Sequence, residues 1–262
     1  MILPRQPVLR RCAGDIGVFA CAYPATVVVA VMTASAGVSP LSCALAACML
    51  ELGTVAILVP WACSNGGAWR EEPPRIVARS AFLLIISCGL ALVLAGKQVE
   101  AALLPVLKWQ LVASTFAIVL AGTWQVIAGA TGRKPAAQVA STLTGGLMLS
   151  SLFWSPVILD VLSPGAGKNA LMSVLVWSNP LLNATAWALG VDLSMMPHGY
   201  KYGVFASYGF LYPAGWLIVI VYGTAGAALC AAGTLLRRAR KGRGTEANVQ
   251  KHRGSPEQVK RA

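Results

Sequence analysis

Long apolar runs separated by short polar breaks organise the whole chain. Six runs have spanning length: Ile16–Ala36, Leu41–Cys63, Ser80–Gly96, Trp109–Ala130, Ala136–Leu162 and Tyr212–Leu236. A helix rises about 1.5 Å per residue, so such runs match a hydrocarbon core of about 30 Å. None alternates with a period of two, which disfavours a β-barrel. The pattern predicts an all-α integral membrane protein with six transmembrane helices.

A seventh apolar run, "MSVLVWSNPLLNATAWALG" (Met172–Gly190), breaks this regularity. An Asn-Pro pair sits in its middle. Proline removes a backbone donor and clashes with the preceding turn, and lipid offers no replacement partner. The segment is therefore expected to form a broken, partly wet helical hairpin, entering or lying on the outer leaflet. The break falls near Ser178–Pro180, Asn179 caps the second helix, and Trp177 and Trp187 act as interface anchors.

Composition and charge agree with this layout. The chain has 262 residues, 56% hydrophobic and 11% charged, and a mean hydropathy of +0.67. A soluble domain carries about a quarter charged residues. With the amino terminus inside, Arg5, Arg10, Arg11, Arg70, Arg75, Arg79, Arg133 and Lys134 are cytoplasmic. So are Arg237, Arg238, Arg240, Lys241, Arg243, Lys251, Arg253, Lys260 and Arg261. Only Lys97, Lys108, Lys168 and Lys201 fall outside. The positive-inside rule thus places both termini in the cytoplasm and the broken hairpin outside, between helices five and six. Residues 1–236 form the transmembrane domain, with 1–15 as an amphipathic entry segment. Residues 237–262 are expected to be a basic, disordered cytoplasmic tail. A cleaved signal peptide is not expected, because the first run is long and lacks a small-residue cleavage site.

Few residues offer chemistry. Cys12, Cys21, Cys43, Cys48, Cys63, Cys88 and Cys230 lie in or beside apolar runs without a CxxC pair, and read as packing residues. No nucleophile–histidine pair, paired membrane aspartates or Asp-rich cluster is present, which disfavours an enzyme. Glu51 lies mid-run, where a carboxyl is costly. It can bind a polar substrate group, carry a proton, or hydrogen-bond a neighbouring helix. Asp160, past Pro156, reads as kink packing near the outer end of its span.

Two loops admit two readings each. "MILPRQPVLRR" can lie on lipid phosphates or serve as a plain topology anchor. "SNGGAWREEPPRIVAR" can form a short charged helix that docks a cytoplasmic partner, or a solvated turn held by Arg–Glu pairs. "SPGAGKNA" lacks the first glycine and the Ser/Thr of a phosphate loop and is discounted. "NAT" at Asn183 matches a glycosylation sequon that triplets reach by chance. The small-residue pairs Ala128/Gly132 and Gly223/Ala227 are uninformative in a chain with 26 glycines.

Four stretches together give a resemblance. They are "QPVLRR" before the first run, "AGTWQVIAGATGRKPAAQVASTLTGGLMLSSLFWSPVIL" across runs four and five, "NPLLNATAWALG", and "LCAAGTLLRRARKGR" at the last run's end. The layout resembles the ABC-2 type permeases, the membrane subunits of ABC exporters. The resemblance implies a transport subunit in the cell membrane, most simply a bacterial inner membrane. It implies that ATP is bound by a separate ATP-binding subunit, and that a second permease half, identical or different, completes the pathway in lipid. Trp69, Arg70, Arg75 and Arg79 would couple to the ATPase, and Asn179 and Pro180 would shape the exit. No nucleic-acid partner is expected. The rivals are a non-transporting anchor or assembly subunit of a larger complex, and a secondary carrier using Glu51.

Overall fold

A computed structural model describes residues 40–64, 99–161, 166–193 and 212–253. All elements among them are helical. In chain order they are α1 (Pro40–Ser64), α2 (Val99–Thr131), α3 (Lys134–Val161), α4 (Ala166–Ser178) and α5 (Pro180–Ala184), then a π-helical turn (Thr185–Leu189) and α6 (Gly215–Arg253). Two of them, over Leu104–Thr131 and Gly215–Gly242, are long and apolar enough to cross a membrane. The expected first and third spans, the entry segment and the loop carrying Trp69, Arg70, Arg75 and Arg79 lie outside the described residues.

The second, fourth, fifth and sixth expected runs coincide with α1, α2, α3 and α6, with two differences at the ends. Helix α2 begins ten residues before Trp109, so Lys108 lies on the helix and not in a loop. Pro105 lies inside the helix, past the four amides that need no intrahelical acceptor, so α2 runs on through it without a hydrogen bond to the Ala101 carbonyl. Helix α6 does not stop at Leu236 but continues to Arg253. The first part of the tail expected to be disordered is thus helical. Its Arg, Lys, Ala, Glu and Gln residues are strong helix formers, and extending an existing helix needs no new nucleus.

Helix α2 is the centre of the fold. Val112, Phe116, Leu120 and Trp124 recur at four-residue steps along it and are fully buried. Helix α1 contributes Leu52, Ala56 and Val59 to the same core, and α6 contributes Ile218, Tyr222 and Cys230. Helix α3 closes one side. Its Ser141 Oγ–H donates to the Leu120 carbonyl at 2.8 Å, and Gly145 lets Ala56 come close.

The tightest packing joins α2 to α6 through glycines spaced by seven. A Cβ on Gly122 would stand 2.8 Å from the Gly226 carbonyl oxygen, and one on Gly129 would stand 2.8 Å from that of Gly233. Reciprocally, a Cβ on Gly226 would stand 2.9 Å from the Ile118 backbone, and one on Gly233 would stand 2.5 Å from the Gln125 backbone. Seven residues are nearly two helical turns, so each pair falls on one face. These are not the small-residue pairs weighed from the sequence: a Cβ on Gly223 would meet only Thr115, at 3.8 Å.

The turn between α2 and α3 is two residues long. Gly132 takes the left-handed conformation at φ 69°, which ends α2 and reverses the chain. Pro135 then falls in the first turn of α3, where its lost donor is harmless.

The outward faces are apolar. On α3, Val139, Leu143, Leu147, Ile158 and Val161 are exposed, and on α6 Trp216, Ile220 and Leu235. These positions follow helical spacing, so each helix carries an apolar stripe turned away from the core.

Candidate functional site

The break in the seventh run is where polar groups converge. Asn179 precedes Pro180, and a residue before proline is pushed to extended backbone. It adopts φ −88° and ψ 105°. Its side-chain Oδ1 accepts from the Leu181 N–H at 2.9 Å and the Leu182 N–H at 3.1 Å. Pro180 stands at the first position of α5 and has no N–H to satisfy. The start of α5 is therefore capped from within the chain.

The end of α4 is satisfied just as fully. Asn183 Nδ2 donates to the carbonyls of Val176 at 2.7 Å, Asn179 at 2.8 Å and Trp177 at 3.3 Å. Three carbonyls around one atom fix which end of this amide is nitrogen. The Tyr222 hydroxyl, from α6, donates to the Trp177 carbonyl at 2.9 Å. Ser178 Oγ–H returns to the Leu175 carbonyl at 3.1 Å. Asn183 Oδ1 is buried without a hydrogen-bond partner.

Four helices hold this junction. Asn179 Nδ2 donates to Ser151 Oγ on α3 at 2.8 Å, and more weakly to the Leu149 carbonyl at 3.4 Å. Helix α5 also packs against α1, α2 and α6. Beyond it, Thr185 Oγ1 donates to the Leu181 carbonyl at 2.8 Å, and the π-helical turn ends at Gly190, left-handed at φ 65°. The Trp187 ring lies on Gly215, which has no side chain to obstruct it, and the Lys108 ammonium sits 5.8 Å above the same ring. The Tyr212 hydroxyl donates to Asp192 Oδ1 at 2.6 Å, tying the end of the hairpin to the start of α6.

This arrangement bears out the break, the cap and the two short arms, but it corrects their setting. The hairpin was expected to be partly wet. Instead Asn179 and Thr185 are wholly buried, Asn183 is 3% exposed, and Trp177 and Trp187 pack on the core. The physical reason is the internal capping. Once Asn179, Asn183 and Tyr222 satisfy the broken backbone, water is not needed. Burial also removes Asn183 from reach as a glycosylation acceptor. Within "SPGAGKNA", the described residues Ala166–Ala170 form the start of α4, and Lys168 there is 8% exposed.

Glu51 belongs to a second polar junction. Both of its carboxyl oxygens accept hydrogen bonds from α2: Oε2 from Trp109 Nε1–H at 2.8 Å, and Oε1 from Gln110 Nε2 at 2.8 Å. The carboxyl thus bridges α1 and α2 through these two neutral donors. At the far end of the same helix pair, Trp124 Nε1–H donates to Ser64 Oγ at 3.0 Å. The side chain of Asp160 lies outside the described set, as do Trp69, Arg70, Arg75 and Arg79.

Ser151 and Tyr222 were not singled out from the sequence, and Asn183 was weighed only as a sequon and not as a cap for the end of α4. Asn183 was legible: it follows Asn179 by four residues, the spacing at which a side chain reaches back across one turn. Ser151 and Tyr222 were not, because only the packing of α3 and α6 brings them to the break.

Comparison with protein-family models, with curated proteins and with solved structures finds no match for this chain.

Proposed function

We propose that the chain is the membrane-spanning permease half of an ABC-type exporter, working with a separate ATP-binding subunit and a second permease half. The observation that carries this reading is the internally capped Asn179–Pro180 hairpin, seated between the fifth and last apolar runs. A helical break buried among spans is tolerated in lipid only when protein groups satisfy it, and retaining one implies a use for it at that depth. The proposed use is to shape the exit of a transport pathway.

Further support comes from composition and surface. Two helices of spanning length, with exposed apolar stripes on α3 and α6, suit a chain surrounded by lipid. The proposed layout is six spans with both termini cytoplasmic and the hairpin external, in a cell membrane and most simply a bacterial inner one. ATP is bound on the partner, which the short charged loop at Trp69, Arg70, Arg75 and Arg79 meets. The bridge that Glu51 makes between α1 and α2 supports a structural role for it over the carrier reading.

The test is charge reversal in that loop. Arg75→Glu with Arg79→Glu should weaken co-purification of the ATP-binding subunit while the chain still inserts. Undiminished co-purification would count against coupling through this loop.

A further inference from the structure

Two arginines of α6 are held in place by α2. The Arg237 guanidinium lies 5.6 Å from the Trp124 ring centroid. One turn further, the Arg240 guanidinium packs against Gly132, in the space that any side chain there would fill. Gly132 is also the reversal point between α2 and α3, so Arg133 and Lys134 follow directly from this contact. Both are exposed, as are Arg238 and Lys241 on α6. Six cations are thereby gathered at one end of the α2–α6 pair: Arg133, Lys134, Arg237, Arg238, Arg240 and Lys241.

Exposed apolar side chains adjoin them. Leu235 is 64% exposed, Leu236 39%, and Val139, just over one turn into α3, 59%. The cations stand where the apolar residues of α2 and α6 run out, at Thr131 and Leu236. Cations above an apolar wall are complementary to one molecule with a charged head and a hydrocarbon body. The acidic surface of a soluble subunit would match the arginines but not the leucines beneath them.

We propose that this end of the molecule binds the phosphate headgroup of an anionic membrane lipid. Arg240 and Arg133 are the principal ligands, Lys134, Arg238 and Lys241 flank them, and the acyl chains lie along Leu235, Leu236 and Val139. Holding Arg237 on Trp124 and Arg240 on Gly132 reduces the side-chain freedom lost when the lipid binds. Basic clusters at the ends of spanning helices recognise anionic headgroups in this way. The proposal requires the chain to lie in a bilayer but does not depend on the transport reading or on any ATPase.

The experiment uses the full chain, delipidated in detergent. It is titrated with dioleoyl phosphatidylglycerol, dioleoyl phosphatidylcholine or inorganic phosphate, and thermal unfolding and lipid retention by native mass spectrometry are followed. Phosphatidylglycerol should raise Tm and be retained, whereas phosphatidylcholine and inorganic phosphate should do neither. Arg133→Gln with Arg240→Gln should weaken phosphatidylglycerol binding roughly 25-fold, about five-fold for each charge. Lys134→Gln with Arg238→Gln changes only exposed flanking residues and should weaken it in the same direction but less, without disturbing the fold. Lys251→Gln with Arg253→Gln, three turns further along α6, should leave it within about two-fold. Equal stabilisation by phosphatidylcholine or by phosphate alone would overturn the lipid assignment. Unchanged affinity in both arginine-containing double variants near Gly132 would overturn the site.

Discussion

Asn179 and Ser151 are 28 residues apart in sequence, yet their side chains meet at 2.8 Å across the junction of the broken hairpin with α3. The same asparagine caps α5 with its other end, accepting from Leu181 and Leu182. One buried amide thus completes a helix terminus and fixes that terminus to a neighbouring helix.

Asn179→Leu should accordingly cost more than the loss of a surface cap. Losing a surface cap costs about 1 kcal/mol, and burial of the stranded N–H groups raises this to about 1–3 kcal/mol. Ser151→Ala should cost only about 1 kcal/mol, since Asn179 still caps α5. Thermal unfolding in detergent should rank them in that order. Equal and small losses would mean that the capping is dispensable.

The glycine seam between α2 and α6 makes a paired prediction. Gly233→Ala places a methyl within 2.5 Å of the Gln125 backbone, which cannot yield without separating the helices. A loss of about 1–3 kcal/mol is expected. Gly223→Ala, with only Thr115 nearby at 3.8 Å, should be neutral or gain up to about 1 kcal/mol from helix propensity. Unfolding midpoints of the two variants should move apart. Similar shifts would refute the seam.

Glu51 is predicted to matter for stability before activity. Glu51→Leu strands the Trp109 and Gln110 donors that the carboxyl accepts from, at about 1–3 kcal/mol for each left unpaired. Glu51→Gln keeps one acceptor oxygen and should lose less. An unchanged Tm in both variants, with transport abolished, would instead mark Glu51 as a transport residue.

Sidedness can be checked with single cysteines at exposed positions. A cysteine at Asn169, on α4, should react with an impermeant maleimide in intact cells, and one at Lys241, on α6, only after lysis. The charge distribution along the chain supports this assignment. Labelling of position 241 in intact cells would invert the topology.

How much of this was legible in the sequence varies with the range of the interaction. The break at Ser178–Pro180 was readable because proline chemistry is local, and the Asn179 cap followed from one neighbour. The helices over four of the apolar runs were readable from length alone. The burial of the hairpin was not, since it depends on Ser151 and Tyr222 arriving from α3 and α6. The Glu51 bridge likewise needs Trp109 and Gln110 to face α1, a matter of helix rotation. The glycine seam was half visible: Gly122/Gly129 and Gly226/Gly233 repeat at seven, but only packing shows that the two repeats face each other. Helical continuation to Arg253 was obscured because high charge reads as disorder when neighbouring structure is ignored.

The most direct test of the proposed role is purification of the tagged chain from its own membranes in mild detergent, with its partners identified by mass spectrometry. The permease reading predicts a co-purifying subunit that carries a phosphate-binding loop and hydrolyses ATP, together with a second permease half. Recovery of the chain without any ATP-hydrolysing partner, under conditions that preserve its other interactions, would contradict it.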